Sequence, residues 1–253
     1  MERGTYVAAS GGLLELRKLD VASNNLANIN TVGFKRQILV GETQDFEQTL
    51  ASTIAASDPY ARGDHERSPG TVNVRAATDF TPGPIKNTGN KWDVAARNPN
   101  DFFVVQTPDG PQYTRAGNFT LNDQGQLVTL DGFPVQGDGG TVTADVPGAY
   151  IAPDGSIRAG NEVLATLQVV RFVNPESLER VGMTRFITKP GQPAPEPVEP
   201  DVMPQALEMS NVSATSSVIE LITANRAFDM YTKTAQAIDQ MNQTAVTQVG
   251  RGR

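Results

Sequence analysis

The stretch SNNLANINTVGFKR, from Ser23 to Arg36, continues an apolar, helix-like pattern that begins near Gly4. Four of its residues are asparagines, and asparagine is a poor residue for a helix interior because its amide competes for backbone hydrogen bonds. Gly33 follows Thr31 and Val32 and is suited to the left-handed conformation that ends a helix. The stretch therefore predicts a packing helix that ends near residue 30 and carries amides at its end.

One face of this predicted helix carries a mixed stripe. Val7, Leu14 and Val21 lie seven residues apart, and Asn25 lies on the same face. In a close-packed assembly of helices an amide can fix the register at some cost in stability. Amides that satisfy the last carbonyls of an ordinary helix end explain the same pattern. The spacing alone leaves both interpretations open.

Composition limits the classes of partner. The chain has 253 residues, a net charge of −7 and no cysteine. The negative charge argues against nucleic acid or an anionic membrane surface as partner, and the lack of cysteine excludes disulfides and thiolate chemistry. The first sixteen residues contain charges and no unbroken apolar run. We therefore expect no cleavable signal peptide, so that a role outside the cytoplasm would need another export route.

The clearest helical pattern follows residue 210. Ser210 or Asn211 is expected to cap this helix, and Gly250 to end it. Apolar residues recur in steps of three or four, with a mean of about 3.4, close to the 3.5 of a coiled-coil seam. These residues are Val218, Leu221, Ala224, Phe228, Tyr231, Ala235, Ile238, Met241, Ala245 and Val249.

The middle of the chain has the pattern of antiparallel β-structure. Short apolar runs alternate with turn residues, and Asp131-Gly132 is typical of a two-residue type I′ hairpin. Six prolines between Pro190 and Pro204 favour a stiff spacer, since proline fits neither a helix interior nor a central strand.

These patterns predict an α+β fold. The N- and C-terminal helices pair as a coiled-coil-like α domain, because neither can bury its stripe alone, and an antiparallel all-β domain is inserted between them. The expected boundaries are 1–35 with 205–253 for the helical domain, 36–80 for an extended connector, 81–189 for the β domain and 190–204 for a proline-rich linker.

Four motifs resemble one known family. SNNLANINTVGFKR and SNVSATSSVIELITANRAFDMYTKTAQAIDQM (Ser210–Met241) resemble the N- and C-terminal signatures of bacterial flagellar axial proteins, the rod and hook family. YTRAGNFTLNDQGQLVTLDGFPVQG (Tyr113–Gly137) resembles the central β domain of the rod proteins, and TPGPIKNTGNKWDVA (Thr81–Ala95) is similar to the segment that leads into that domain. Trp92 departs from the family pattern, which usually has leucine there. The proximal rod subunit is the best match, and a distal rod or hook-type subunit is the alternative.

The resemblance implies a structural role in the flagellar basal body. It implies terminal helices that form an inner tube with the β domain outside, in a rod that spans the periplasm and transmits torque as the axial drive shaft. The implied partners are further copies of the chain, other axial proteins and the flagellar export apparatus, with contacts to the surrounding rings left open. Export would proceed without a cleaved signal peptide. No cofactor, nucleic acid or small-molecule substrate is expected.

Under this interpretation one set of residues is expected to form the assembly interface. Asn25 and Asn28 would set the register, and Phe34 would anchor the turn that leaves the first helix. Ordinary packing within the chain explains each apolar member as well. The full set is Val7, Leu14, Val21, Asn25, Asn28, Phe34, Asn211, Leu221, Phe228, Tyr231, Ile238 and Met241.

Two other classes of function are weaker. His65, the one histidine, lies in a polar run, and no nucleophile-elbow, Ser-x-x-Lys or phosphate-loop motif is present. No catalytic, cofactor-binding or metal-binding residue is therefore expected, and the chain is not expected to be an enzyme. A surface module that binds ligands through its β domain or lipid through its last helix is the remaining alternative. Residues 205–249 contain only Arg226 and Lys233 as basic residues, which does not favour lipid.

Overall fold

A computed structural model describes residues 2–43 and 72–250 of the chain. Helix α1 spans Glu2–Ala27 and helix α2 spans Ala214–Gly250, and short strands lie between them. The predicted α+β arrangement, with helices flanking an antiparallel β region, is confirmed. Most of the predicted connector, at residues 44–71, lies outside the described residues.

The strands are mostly short, as the frequent turn residues predict. In chain order they are β1 (Gln37–Thr43), β2 (Val72–Thr78), β3 (Ile85–Asn87), β4 (Val94–Ala96), β5 (Asp101–Thr107), β6 (Gly110–Thr114), β7 (Thr120–Leu121), β8 (Leu127–Val128), β9 (Gln136–Gly137), β10 (Gly140–Thr141), β11 (Tyr150–Ile151), β12 (Ser156–Ala159), β13 (Glu162–Thr166), β14 (Val169–Arg171), β15 (Leu178–Val181), β16 (Arg185–Thr188), β17 (Glu196–Val198), β18 (Val202–Pro204) and β19 (Ala206–Glu208).

The chain divides into two compact units. The first contains Met1–Asn24, Gln37–Ala77 and Thr215–Arg253, and the second contains Asn25–Arg36 and Thr78–Ala214. The segment 25–36 and the residues from 205 to 214 thus belong with the β-structure, whereas the sequence placed them with the helices. The physical reason is the set of hydrogen bonds and buried side chains described below for Phe34, Lys35 and Glu208.

In the first unit α1 and α2 approach each other at glycine. A Cβ atom on Gly11 would lie 2.4 Å from Cε1 of Tyr231, and one on Gly12 would lie 4.0 Å from Phe228. Arg17 also donates from Nη1 to the carbonyl of Val74 at 2.9 Å, which ties α1 to β2. Strands β1 and β2 pair in a two-stranded sheet.

In the second unit a six-stranded sheet has the order β15-β16-β6-β5-β14-β17. Both faces of its central strand β5 are buried. Phe103 and Val105 point into a large aliphatic core, whereas Phe102 and Val104 point into an aromatic cluster with Phe186 on the other face. This alternation has the period of two that a β-strand imposes, so one strand supplies both cores.

Strands near the two ends of the second unit pair with each other. β3 pairs antiparallel with β19, so that Ile85 lies opposite Glu208, and β4 pairs antiparallel with β18, so that Ala96 lies opposite Val202. The pairing brings residues that are more than a hundred positions apart in sequence to the same edge of the unit.

The proline-rich stretch differs from the expected spacer. β17 pairs with the edge of the six-stranded sheet through Val198, and Val202 in β18 is fully buried. Proline is tolerated there because an edge strand has one side on which no N–H group is needed. The type I′ prediction at Asp131-Gly132 is wrong: Gly132 has a φ of 84°, but among the described residues Gln205 is the non-glycine residue with positive φ.

Candidate functional site

Three of the four sequence motifs contact the side chain of Glu208, through Lys35, Arg115 and the Gly83 N–H. Its Oε1 accepts a hydrogen bond from Lys35 Nζ at 2.6 Å, and its Oε2 accepts one from Arg115 Nε at 2.7 Å. The three side chains are 1–2% exposed. Lys35 comes from the first motif, and Arg115 follows β6 in the central motif. Glu208 ends β19, two residues before the last motif.

The remaining polar atoms of this charge cluster are also paired. Lys35 Nζ donates to the carbonyl of Thr81 at 2.8 Å, and the Gly83 N–H donates to Glu208 Oε1 at 3.0 Å. Arg115 donates to the main-chain carbonyls of Asn98 at 2.7 Å, Asp101 and Ala96. A buried ionic group is tolerated only when its hydrogen-bonding capacity is filled in this way. The cluster therefore fixes the geometry where the motifs meet.

The two cations keep Glu208 ionised. Burial by itself raises the pKa of this carboxyl, but the charges of Arg115 and Lys35, with the hydrogen bonds from Lys35 and Gly83, hold the pKa below its usual range. Burial lowers the pKa of Lys35, against the attraction of Glu208. Two cations on one carboxylate leave a net positive charge in a chain whose net charge is −7.

Phe34, which was expected to anchor the turn after the helix, is 1% exposed. The guanidinium of Arg180 lies over its ring, 4.7 Å from the centroid, and 5.4 Å from the ring centroid of Phe186. Arg180 also donates from Nη2 to the carbonyl of Lys35 and from Nη1 to that of Met183. Burial lowers the pKa of Arg180 to about 10. Arg180 lies on strand β15, and its guanidinium covers the ring of Phe34.

Gly33 adopts the left-handed conformation that the sequence predicts, with a φ of 68°. A Cβ atom at this position would lie 2.3 Å from the amide nitrogen of Ala116, so the backbone approach itself also requires glycine. The Gly33 N–H donates to the carbonyl of Glu208 at 2.8 Å.

Asn211, which the sequence predicts as a cap of the last helix, does not cap it. α2 begins at Ala214, and Asn211 instead accepts a hydrogen bond from the Arg36 N–H at 2.6 Å. Its Nδ2 donates to the carbonyls of Asp79 at 2.9 Å and Thr81 at 3.0 Å. The cap interpretation of Asn211 is wrong because its amide joins three strand-flanking segments of the second unit. Its assignment to an assembly interface stays a prediction.

The predicted interface residues of α1 differ in burial. Val7 is 49% exposed and Leu14 and Val21 are half-buried, whereas the buried positions in this part of the helix include Ala8, Glu15 and Ala22. Asn25 and Asn28 are buried, at 0% and 4% exposure. The small side chains of Ala8 and Ala22 are consistent with the close approach of the two helices at Gly11.

The predicted interface residues of α2 fall on one face, with one exception. Leu221, Phe228 and Ile238 are half-buried, Tyr231 is 37% exposed and Met241 is 60% exposed. Another face carries exposed apolar residues that the period of three or four did not select. This face contains Ile219, Ile222 and Met230. Met241, which was predicted to lie with Phe228 and Tyr231, lies on this face instead.

Sequence reasoning missed Lys35, Arg115, Arg180 and Glu208. Lys35, Arg115 and Glu208 are charged residues inside or beside the motifs that carry the family resemblance. A charged residue within or next to an otherwise apolar motif is the sequence signal that could have indicated these three residues. Arg180 gave none, because its role depends on the position of β15 beside Phe34.

Within residues 2–43 and 72–250, no group of three or more histidine or acidic side chains is placed to hold a metal ion. Over the same residues, neither helix combines the length and the apolar composition that crossing a membrane requires.

Comparison with known proteins places three matches along the chain. Residues 6–35 match the family described as flagella basal body rod protein, and residues 98–159 match the flagellar hook protein FlgE/F/G D1 domain. Residues 203–248 match the flagellar basal body rod FlgEFG protein C-terminal family. The matched ranges include Lys35, Arg115 and Glu208, so all three matches contribute one residue to the charge cluster.

Relatives match over almost the whole length. The flagellar basal-body rod protein FlgF of Caulobacter vibrioides is 31% identical over 99% of both chains. FlgG of the same organism is 33% identical over 93% of this chain and 95% of its own, and FlgG of Bacillus subtilis is 31% identical over 97% and 98%. Fold and matches together define a structural protein of the bacterial flagellum. The chain belongs to the flagellar basal-body rod protein family and is a structural subunit of the rod.

Proposed function

We propose that the chain polymerises through its terminal helices in the proximal part of the rod and transmits torque along it. Rod proteins of the basal body assemble with other rod and hook proteins, and both helices carry exposed apolar residues, among them Leu13 at 63% and Met230 at 64% exposure. We also propose the flagellar export apparatus as a partner of the chain. It would deliver the chain to the periplasm without cleavage of a signal peptide.

The observation that carries this proposal is the apolar residues on two opposite faces of α2. Phe228 and Tyr231 face α1 at Gly11 and Gly12. Ile219, by contrast, is nine residues from Phe228, which is about two and a half helical turns, so it lies on the opposite side. Ile222, Met230 and Met241 share the side of Ile219 and are 45–64% exposed. A helix with an apolar face beyond its intrachain partner is suited to a second helix.

The occupant we propose for this outer face of α2 is a helix of a neighbouring rod subunit. A helix packed there in turn exposes its own outer face. An interface of this head-to-tail kind does not close on itself and generates a helical filament. We also propose that α1 and α2 of one chain pair as a coiled coil through the inner face of α2.

Placement in the proximal rod is favoured by the sequence pattern, with the distal rod as the alternative. Relatives named FlgF and FlgG match at 31% and 33% identity, so identity does not separate these two kinds of rod protein. Electron microscopy of isolated basal bodies that carry a tagged chain tests the placement. Label near the inner membrane supports the proximal rod, and label next to the hook would move the chain to the distal rod.

The interface is tested by the double variant Ile222→Glu, Met230→Glu. We expect the chain to remain folded and to be missing from isolated hook–basal bodies, measured by mass spectrometry, because two charges would be buried between helices. Thr232→Glu, at an exposed position about 140° around the helix from Ile219, is the control. Normal incorporation of the double variant would contradict assembly through this face.

A further inference from the structure

We propose that the second unit carries a peptide-binding site whose ligand is the chain's own segment Gly33–Arg36. The site holds this segment in the free chain, independently of the contact between α1 and α2. The segment lies in one compact unit with residues 78–214, from which it is separated by more than forty positions of sequence.

The main chain of the segment is recognised along its length. The Gly33 N–H donates to the Glu208 carbonyl at 2.8 Å, and the Arg36 N–H donates to Asn211 Oδ1 at 2.6 Å. The Arg36 carbonyl accepts from the Asp79 N–H at 2.9 Å, and the Lys35 carbonyl accepts from Arg180. Main-chain hydrogen bonds supply affinity when a sheet edge binds a peptide strand, and pockets for the side chains supply specificity.

The side chains supply the specificity. Gly33 fits where any Cβ atom would meet the backbone of Ala116. Phe34 is buried beneath the guanidinium of Arg180. The ammonium group of Lys35 is received by the Glu208 carboxylate and the Thr81 carbonyl. The site therefore selects a glycine, an aromatic residue and a lysine in that order.

The receiving side has contacts of its own that do not involve the segment. Glu208 is positioned by the pairing of β19 with β3, and one of its oxygens is held by Arg115. Arg115 is fixed in turn by main-chain carbonyls at the end of β4 and in the turn between β4 and β5. A site whose polar groups already have the binding geometry loses little entropy when its ligand arrives.

A consequence for assembly rests on the proposed function. α1 ends at Ala27, so five residues separate it from the captured segment. A subunit that reaches the rod would thus carry its N-terminal signature already fixed, and the joining of neighbours would act on the helices alone.

The test uses the full-length chain with a site-specific protease sequence inserted between residues 44 and 71. After cleavage, the fraction of N-terminal fragment that stays bound is measured by size-exclusion chromatography as the protein is diluted. We expect Lys35→Met to weaken retention between about tenfold and a hundredfold, since Glu208 Oε1 and the Thr81 carbonyl each lose a charge-assisted hydrogen bond, whereas Arg115 and the Gly83 N–H keep the carboxylate partly paired. Phe34→Ala is expected to weaken retention as well, and Tyr231→Ala, in the helix contact, by less than tenfold.

Controls separate binding from folding. Lys35 and Phe34 lie on the released fragment, so these variants leave the sequence of the receiving side unchanged. Lys189→Met removes an exposed lysine and should retain the fragment as the parent does. A synthetic peptide of residues 28–36 should displace the fragment, and the same peptide with Lys35→Met should not.

Full retention by Lys35→Met and Phe34→Ala, together with release by Tyr231→Ala, would overturn the proposal. Retention would then depend on the helices. Because the assay uses the free chain, its outcome is independent of whether the chain enters the rod, which the incorporation assay above decides.

Discussion

Single residues set the geometry of the second unit, and Glu208 is the most consequential. Its carboxylate joins Lys35, Arg115 and the backbone of Gly83. A buried ionic cluster adds little net stability compared with apolar residues of the same volume, because desolvation offsets the attraction. What the cluster contributes is a single allowed arrangement, since any other would leave a buried charge unpaired.

Replacement of Glu208 by Gln should lower the free energy of unfolding of the second unit by about 3–5 kcal/mol, because two buried cations lose their anion. Denaturant titration followed by the fluorescence of Trp92, which is buried in the aliphatic core, measures this change. Glu176→Gln, at an exposed position, is the matched control and should change stability by less than about 0.5 kcal/mol. Equal effects of the two variants would show that the cluster does not act as described.

The same carboxyl should make stability depend on pH on the acid side. The pKa of Glu208 is lowered in the folded chain from the ordinary 4.5, so its contribution is present above that value. The contribution is lost as the pH falls through the lowered pKa, because the folded state must then take up a proton. Unfolding curves from pH 6 downward should fall more steeply for the parent than for Glu208→Gln. Parallel curves would be inconsistent with a lowered pKa.

Gly33 and Gly89 allow backbone strain to be separated from crowding. Both have positive φ, 68° and 74°, but a Cβ atom on Gly89 would have open space whereas one on Gly33 would meet Ala116. Gly89→Ala should cost about 1 kcal/mol for the conformation alone. Gly33→Ala should cost clearly more, because the backbone of Ala116 must also move. The difference, measured by denaturant unfolding, would vanish if Gly33 mattered only for its conformation.

At the scale of elements, α2 has two apolar faces, and the helical period of the sequence predicts only one of them. A step of three or four residues selects Leu221, Phe228 and Tyr231, of which Phe228 and Tyr231 lie near the glycines of α1. It does not select Ile219, Ile222 and Met230, whose spacing follows the same helix on its other side. The outer face is visible only when burial is known.

The contact between α1 and α2 can be measured by a double-mutant cycle of Gly11→Ala and Tyr231→Ala. Alanine is a better helix residue than glycine by about 1 kcal/mol. In the parent this gain should be reduced, since the new methyl group would meet the Tyr231 ring, and in the Tyr231→Ala background it should appear in full. Thermal unfolding followed by circular dichroism at 222 nm gives the four values. Strict additivity would show that the two residues do not touch.

At the scale of the whole molecule, the two units offer separate probes. Trp92 is the only tryptophan and lies in the second unit, whereas most helical residues lie in the first. We expect denaturant unfolding followed by helical circular dichroism to precede that followed by tryptophan fluorescence, because the helices leave apolar residues exposed while the second unit has two buried clusters. Coincident transitions would mean that the units unfold as one.

Much of the arrangement follows from local patterns. The helical period gave both helices, and the regular turn residues gave the antiparallel region. Gly33 was assigned its left-handed conformation from its place after the helix. The strands in the proline-rich stretch did not follow, since proline excludes a central strand but not an edge strand, and the availability of an edge is decided by distant residues.

The sequence by itself determined the α+β class, the positions of the helices and the family, because these depend on the order and period of neighbouring residues. Only the tertiary structure decided that Gly33–Arg36 belongs with the β-structure and that Lys35, Arg115 and Glu208 form one cluster. The contacts of Glu208 with Lys35 and Arg115 join residues 173 and 93 positions apart, and the contact of Arg36 with Asn211 joins residues 175 positions apart. Their energies depend on burial and on the filling of every hydrogen bond, and both arise only once the chain has folded.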